Sequence, residues 1–235
     1  MYNKFGQFYN GGWHQSFDKS TYEVINPCNE EVIGNVSNAK PEDVDKALKS
    51  AKMGFDHWKK TTPWERSKVI RKAADLIREN KEIIAKWISL EVGKPLKESL
   101  AEVEGSAEIF EWNAEETKRI FGQNIESRFP STRMNVYYQP IGVVAALVPW
   151  NFPCILASRK ISTALAAGCS VICKPDTITP GSVMSLIDII NKAGFPDGAI
   201  NLLSGDPAKV SEQLISSDIV KKVSITGSTR VGKII

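Results

Sequence analysis

Three segments of this 235-residue sequence combine residue types that could take part in chemistry, and each follows a short apolar run. They are Pro149-Trp150-Asn151-Phe152-Pro153, Lys174-Pro175-Asp176-Thr177 and Gly227-Ser228-Thr229-Arg230-Val231-Gly232. The amide of Asn151 could donate to a developing oxyanion, but a turn or helix-capping asparagine would look the same in sequence. The ammonium of Lys174 could bind ribose hydroxyls or a phosphate, and an ordinary surface lysine at a strand end is the alternative.

The segment from Gly227 to Gly232 joins a predicted strand to a predicted helix, where backbone N–H groups can bind a phosphate. No Lys-Ser/Thr pair follows the second glycine, so the segment is not a P-loop, and its spacing is not the three-glycine dinucleotide fingerprint. A tight strand-to-helix turn explains the glycines equally well. Phosphate binding at this segment is therefore a hypothesis that needs support from other parts of the sequence.

Strands that alternate with helices must position these three segments. Strands are predicted over residues 143–148, 170–173, 200–203 and 222–226, and helices over 153–167, 180–193, 207–216 and from Ser228 onward. Short apolar strands that alternate with helices indicate an α/β fold with a Rossmann-like parallel sheet, covered by helices on both faces. Ligands of such sheets bind beyond the carboxyl ends of the strands, where all three segments lie.

The amino-terminal residues predict short strands and turns over 1–37, followed by a block of amphipathic helices. Thr62-Pro63-Trp64-Glu65 has the form of a capping box with proline at the first helical position. The apolar stripes of these helices, together with Trp87 and Trp112, are expected to face the core. Residues 121–139 do not continue the helical pattern, and Met134–Tyr138 is predicted to be an exposed strand.

Composition argues against several classes of protein. The net charge of +3 comes from 30 basic and 27 acidic residues, which is too small and too dispersed an excess to favour nucleic acid binding. The sequence contains no run of 18 apolar residues and no apolar secretion signal at its start, so a membrane span is not expected. A cytoplasmic protein without nucleic acid or membrane partners is the expectation.

The cysteines and histidines follow no metal-ligand pattern, so no metal site is expected. The histidines are His14 and His57, and the cysteines are Cys28, Cys154, Cys169 and Cys173. The last three cysteines lie in apolar segments, which favours small buried side chains in the reduced state over reactive ones.

Several motifs, taken in order along the chain, resemble the aldehyde dehydrogenase superfamily. The motifs are Gly142-Val143-Val144, Pro149-Trp150-Asn151-Phe152-Pro153, Arg159-Lys160, Ala164-Leu165-Ala166-Ala167-Gly168, Lys174-Pro175, Thr179-Pro180, Ala193-Gly194-Phe195-Pro196, Gly198, Asn201 and Thr226-Gly227-Ser228-Thr229-x-Val231-Gly232. Residues Asn113-Ala114-Glu115-Glu116-x-Lys118-Arg119 and Gln139-Pro140 are similar to the succinate-semialdehyde dehydrogenase branch. The resemblance spans residues 22–235.

The resemblance implies a role for each matching position. Asn151 matches the catalytic asparagine that helps to hold the oxyanion, and Ser228 lies near the cofactor pyrophosphate. Val231 matches a residue on the nicotinamide side. The cofactor-binding positions as a set are Pro149, Trp150, Asn151, Lys174, Pro175, Asp176, Thr177, Gly227, Ser228 and Val231. Arg159 matches the arginine that meets the substrate carboxylate in the semialdehyde branch, and a solvated helix arginine is its alternative.

Two positions depart from the family pattern. Many members that prefer NAD carry a glutamate where this chain has Thr177, and that carboxylate repels a 2′-phosphate. Threonine removes the repulsion and leaves Lys174 free to meet a phosphate, so NADP is favoured over NAD as the cofactor. Ile225 replaces the usual phenylalanine and is interpreted as a tolerated core change.

The resemblance implies a division of the chain into three parts. Residues 1–120 hold the strands and helical block of the cofactor-binding domain, residues 121–139 begin the oligomerisation strands, and residues 140–235 form the Rossmann-like NAD(P)-binding segment. A homo-oligomer is expected. The family's general-base glutamate, nucleophilic cysteine and catalytic domain are expected beyond these residues, so that the chain is an amino-terminal portion.

The implied reaction of the intact enzyme is NAD(P)-dependent oxidation of an aldehyde, with short semialdehydes among the candidates, to a carboxylic acid. A cysteine thiolate attacks the aldehyde, hydride passes to the nicotinamide, and water hydrolyses the thioester. An inactive relative that serves as a binding or interaction module is the alternative. A third interpretation, an acyl-phosphate reductase of related fold, is disfavoured by Pro149-Trp150-Asn151.

Overall fold

The amino-terminal part of the chain forms short strands and then a succession of helices, as the sequence predicts. The computed structural model describes residues 2–235. Its first elements are β1 (Gln7–Tyr9), β2 (Gly12–His14), β3 (Thr21–Ile25), β4 (Val32–Ser37), α1 (Pro41–Trp58), α2 (Pro63–Glu79), α3 (Lys81–Val92), α4 (Leu96–Thr117), β5 (Gln123–Ile125) and β6 (Met134–Val136).

The remaining elements alternate between strand and helix, which confirms the predicted pattern. They are β7 (Val143–Leu147), α5 (Pro153–Ala166), β8 (Ser170–Lys174), α6 (Pro180–Ile190), β9 (Ile200–Leu202), α7 (Pro207–Ile215), β10 (Val220–Ile225) and α8 (Thr229–Ile234). Glycines with positive φ follow two of these helices, Gly168 after α5 and Gly194 after α6. Glycine adopts this left-handed conformation without a Cβ penalty, so Gly168 suits the turn after α5, and Gly194 suits the end of the 3₁₀ turn (Asn191–Ala193) that follows α6.

The strands form a six-stranded sheet in the order β10-β7-β8-β9-β1-β2. Strands β10, β7, β8 and β9 are parallel, whereas β1 is antiparallel to both β9 and β2. The predicted Rossmann-like parallel sheet is therefore confirmed for these four strands, and β1 and β2 extend it with an antiparallel edge. The hairpin β1–β2 adds to the sheet through Phe8, which pairs with Leu202, and a pairing between residues so far apart in sequence leaves no local signal.

Helices cover both faces of the sheet, and alternate residues of the strands point into two separate cores. On one face Val143 and Ala145 of β7 pack with α1 and α7. On the other face Val144 and Ala146 belong to a larger core with α2 through α6. Because side chains alternate along a strand, a strand that is covered on both faces is apolar throughout, which is the pattern that identified β7 in the sequence.

The helical block follows the sequence signals closely, with one exception. In the capping box of α2, Glu65 N donates to Thr62 Oγ1 at 3.3 Å and Thr62 N donates to Glu65 Oε2 at 3.0 Å. Trp87 is buried, but the prediction for Trp112 was wrong, since 68% of its surface is exposed. Helix α4 buries a stripe that includes Phe110 and Ala114. Trp112 lies two residues from each of them and therefore on the opposite side of the helix.

Strands β5 and β6 form an antiparallel hairpin that stands apart from the main sheet. Several large apolar side chains on and around this hairpin are exposed: Phe121, Ile125, Phe129, Met134, Tyr137 and Tyr138. Exposed clusters of this kind favour contact with another surface. Within residues 2–235, the helices are too short or too polar to cross a membrane.

Candidate cofactor cleft and active-site loop

A cleft of about 910 Å³ opens at the carboxyl ends of β7 and β10. The chain leaves β7 toward β8 on one side of it and returns with β10 on the other side, so the strand order reverses at β7. Such a reversal leaves a crevice between the loops that follow the two strands, and it is the usual ligand site of open α/β sheets. Leu147 and Ile225 end the two strands, and both line the cleft.

Lys174 is the buried cation of this cleft. It ends β8, pairs in register with Leu147, and is only 4% exposed. None of the hydrogen bonds or ion pairs between residues 2 and 235 involves its ammonium group. Burial lowers the pKa of Lys174 to about 8, while the carboxylates of Asp176 and Asp206 act in the opposite direction. The alternative of a surface lysine is therefore wrong, and its ammonium group remains available to a ligand.

The glycine-rich segment forms the opposite lip of the cleft through Gly227, Ser228 and Val231. The Ser228 side chain caps α8 by accepting a hydrogen bond from Val231 N at 3.3 Å. Gly227 does not have a positive φ, and a Cβ added to it would come no closer than 3.9 Å to Ile225. Turn geometry and packing therefore do not require glycine at position 227. The space beside its backbone is open on the cleft side.

One wall of the cleft comes from α7, which the sequence analysis did not assign to the site. Pro207, Ala208, Glu212 and Ile215 line this wall. The available signal was the position of α7 directly after the carboxyl end of buried strand β9. The same rule that selected the other three segments would have selected this one.

The loop that carries Asn151 lies beside the cleft. Pro149 and Trp150 line the cleft, whereas Asn151 is exposed and does not line it. Helix α5 begins at Pro153 with Phe152 as the preceding residue and has no side-chain cap, so Asn151 is not a helix-capping residue. Its side-chain amide forms none of the hydrogen bonds found within residues 2–235, which leaves its donors free.

The other predicted site residues are divided between the cleft and its surroundings. Asp176 lines the cleft, while Pro175 is buried and Thr177 half-buried next to it. Arg159 lies on α5 with an exposed side chain and does not line the cleft. Ile225 lines the cleft and is half-buried, so its interpretation as a core residue was wrong.

The cysteines of the chain are unsuited to attack an aldehyde. Cys154, Cys169 and Cys173 are buried, as predicted, and Cys28 is exposed against the carbonyl of Gly93, away from the cleft. Burial, followed by the charge of nearby Glu102, raises the pKa of Cys154 well above its usual value. Burial also raises the pKa of Cys173 to about 12. Neither thiol is a thiolate near neutral pH, and the thiolate is the nucleophilic form.

Two buried ion-pair partners that the sequence analysis missed hold the Asn151 loop. Lys94 Nζ donates to Glu102 Oε2 at 2.6 Å and to the backbone carbonyl of Asn151 at 3.1 Å. The other carboxylate oxygen, Glu102 Oε1, accepts from Cys154 N at 2.9 Å. In the sequence, Lys94 lies between Gly93 and Pro95, a pattern that indicates only a break between two helices. Glu102 looked like any other glutamate of an amphipathic helix.

A cleft at the point where a parallel sheet reverses its strand order is typical of nucleotide-binding α/β proteins. The family model described as the aldehyde dehydrogenase family matches residues 13–235. The chain therefore belongs to the aldehyde dehydrogenase family, as its motifs indicated.

Similar proteins include several semialdehyde dehydrogenases. Mitochondrial succinate-semialdehyde dehydrogenase of Oryza sativa subsp. japonica is 43% identical over 223 residues, which cover 95% of this chain and 42% of the rice protein. The NADP(+) succinate-semialdehyde dehydrogenase GabD of Escherichia coli (strain K12) is 37% identical over 224 residues, or 95% of this chain and 46% of that protein.

Solved structures agree with the sequence relatives. The crystal structure of succinate-semialdehyde dehydrogenase from Burkholderia pseudomallei has a TM-score of 0.96 and 35% identity, and it covers 98% of this chain and 48% of that chain. This chain thus spans about half the length of the relatives that it matches. The similarity to succinate-semialdehyde dehydrogenases agrees with the predicted branch of the family.

Proposed function

We propose that this chain is the cofactor-binding half of an NAD(P)-dependent aldehyde dehydrogenase that oxidises an aldehyde to a carboxylic acid. The observation that carries the proposal is Lys174, a buried ammonium group in the cleft without a protein partner. Burying an unpaired charge is costly, and a ligand with anionic or hydroxyl groups would offset that cost. A dinucleotide brings both kinds of group to this position.

The residues of the cleft suit the different parts of a dinucleotide. Lys174 would bind the adenosine ribose or its 2′-phosphate, and the backbone at Gly227 and Ser228 would meet the pyrophosphate. Val231 would lie on the nicotinamide side, and Trp150 would contribute to the wall. When bound, the nicotinamide accepts the hydride that leaves the aldehyde carbon.

The cofactor that we favour is NADP. Thr177 lies three residues after Lys174, so the carboxylate that repels a 2′-phosphate in NAD-preferring members is missing. Asp176 places a carboxylate at the cleft, but Asp176 Oδ1 accepts from Ile178 N at 3.3 Å, which partly satisfies its charge within the loop. The similarity to an NADP(+) succinate-semialdehyde dehydrogenase supports this preference.

Asn151 is proposed to stabilise the oxyanion that forms when a nucleophile adds to the aldehyde carbonyl. Its amide donors are exposed and form none of the described hydrogen bonds, so they are free to meet that oxygen. Arg159 lies on α5, eight residues after Asn151 and a little under two helical turns from the first residue of the helix, Pro153. We propose that it meets the carboxylate of a short semialdehyde substrate. The attacking thiolate would have to come from residues outside this segment.

Titration calorimetry of the chain with NADP, NAD and adenosine 2′-phosphate tests the cofactor assignment. Lys174→Met should weaken NADP binding at least tenfold, while Lys72→Met, an exposed lysine on α2 far from the cleft, should leave it unchanged. A chain that is folded but binds none of the three ligands would contradict the proposal. That result would favour the alternative of an interaction module.

A further inference from the structure

The turn between α3 and α4 contacts the loop that carries Asn151. Gly93 ends α3 with a φ of 78°, and Pro95 precedes α4, so the chain turns sharply at Lys94. The Lys94 side chain extends from this turn to the loop. Besides its bond to the Asn151 carbonyl, its Nζ lies 4.0 Å from the centroid of the Phe152 ring. Lys94 therefore contacts two consecutive residues of the loop, one through a hydrogen bond and one through a cation–π contact.

Glu102 holds the same loop from its other end. Its Oε1 accepts from Cys154 N at 2.9 Å and from Ile155 N at 3.3 Å, which are among the unpaired donors at the start of α5. The negative carboxylate also suits the positive end of the helix dipole. The side chains of Glu102 and Lys94 are 1% and 11% exposed, so the pair is almost completely shielded from water.

The pair thus fixes the carbonyl group of Asn151 and the residues that follow it, and it leaves the Asn151 side chain untouched. A buried ion pair with hydrogen bonds to a neighbouring loop adds little net stability, because the desolvation of two charges offsets their attraction. The effect of the pair on the geometry of the loop is large compared with its effect on stability. The Asn151 carbonyl is anchored by Lys94 and the start of α5 by Glu102, and the loop between them has little freedom to move.

We propose that Lys94 and Glu102 are positioning residues that hold the Asn151 amide in place for oxyanion binding. The inference rests on the proposed role of Asn151. An oxyanion donor contributes only when it is preorganised, and a shift of about 1 Å in a catalytic group can cost roughly 10²-fold in rate. Loss of the pair should therefore reduce the effect of Asn151 without removing its side chain.

The first experiment measures amide hydrogen exchange in this chain at Cys154 and Ile155. A single substitution would leave one buried charge unpaired and endanger folding, so the test variant is Lys94→Met with Glu102→Leu. Both amides should exchange at least tenfold faster in the double variant. The matched control is Lys97→Met, which removes the same charge from an exposed position on α4. Unchanged exchange in the double variant would show that the pair does not hold the loop.

The second experiment is a double-mutant cycle on kcat in the full-length enzyme that contains this segment. The Lys94→Met, Glu102→Leu variant should lower kcat at least tenfold and change the KM for the cofactor less than twofold. In an Asn151→Ala background the same change should lower kcat less than twofold, because the group that it positions is gone. Equal losses of kcat in the two backgrounds would overturn the inference.

The Asn151→Ala arm separates this inference from the function on which it rests. We expect that single substitution to lower kcat by about 10²–10³, the typical effect of one oxyanion donor. An unchanged kcat would contradict the proposed role of Asn151. The exchange experiment would then still decide whether Lys94 and Glu102 hold the loop.

Discussion

Lys174 shows at the scale of a single residue how the fold changes the chemistry of a side chain. The same lysine at an exposed strand end would be hydrated and fully charged at every physiological pH. At the end of β8 it is buried beside the cleft, and its pKa falls to about 8. Its charge therefore depends on pH in the range where the protein would bind its cofactor.

The affinity for NADP should fall as pH rises from 7 to 9.5. Lys174 carries its proton below a pH of about 8 and loses it above, and only the protonated form attracts the 2′-phosphate. Calorimetric titrations across this range measure the effect. Lys174→Arg should show a flatter profile, since arginine keeps its charge throughout. Identical profiles for both proteins would exclude Lys174 as the phosphate-binding group.

Thr177→Glu should shift the cofactor preference towards NAD. The new carboxylate would face the position proposed for the 2′-phosphate and repel it, while offering an acceptor to ribose hydroxyls. The ratio of the two dissociation constants, NAD over NADP, should fall at least tenfold. Thr177→Gln is the matched control, because it has the same length without the charge. A glutamate variant that behaves like the glutamine variant would rule out electrostatic selection at this position.

Among the contacts between elements, helix α1 closely approaches the backbone of the loop before β9. A Cβ added to Gly54 would lie 2.0 Å from the carbonyl carbon of Gly198 and 2.3 Å from Ala199 N. Both are backbone atoms and cannot move aside as a flexible side chain can. The short distance lets α1 pack directly against the sheet beside the amino-terminal end of β9.

Gly54→Ala should therefore lower the free energy of unfolding by about 3 kcal/mol, the upper end of the usual cost of overpacking. Urea denaturation followed by circular dichroism measures this change. Gly232→Ala on α8 is the matched control. A Cβ there meets no atom within 4 Å, so its stability should stay within about 1 kcal/mol of the original chain. Equal stabilities of the two variants would contradict the close approach of α1 to the backbone at Gly198.

In the molecule as a whole, the β5–β6 hairpin is the surface that most favours contact with another chain. Its exposed apolar side chains include Met134, Tyr137 and Tyr138. One edge strand of the main sheet, β10, carries Lys221 and Lys222, and exposed lysines are a common protection against edge-to-edge pairing. The hairpin is therefore the better candidate for self-association.

We expect the chain to sediment as a dimer or a larger assembly at micromolar concentration, with the hairpin at the contact. Tyr137→Lys combined with Met134→Lys should shift it towards monomer by removing apolar contact area and adding like charges. Lys221→Tyr on β10 leaves the hairpin unchanged and serves as the control. A single monomeric species for the unmodified chain up to near-millimolar concentration would refute the expectation.

Residues 1–235 expressed alone should oxidise no aldehyde with either cofactor. The reason is chemical: the buried thiols of Cys154 and Cys173 have raised pKa values, Cys169 is buried, and Cys28 lies against the carbonyl of Gly93 and does not line the cleft. Absorbance at 340 nm would report any reduced cofactor that forms in the presence of short aldehydes and semialdehydes. Activity that persists through purification and disappears on heating would contradict the expectation.

Local sequence signals were enough to predict the alternation of strands and helices, the capping of α2 and the family of the chain. These features depend on local signals, namely side-chain periodicity, capping residues and glycines at helix ends. The sequence also identified three of the segments that surround the cleft, because every ligand site of such a sheet lies at the carboxyl ends of its strands.

The order of the strands in the sheet could be read only from the folded structure, and the site depends on that order. The reversal at β7 brings Leu147 next to Ile225 and opens the cleft, and it places α7 along one wall. Burial of Lys174 and the contact of the Lys94–Glu102 pair with Asn151 follow from packing between elements that are distant in sequence. Such contacts depend on the whole fold, so no local pattern in the sequence could predict them.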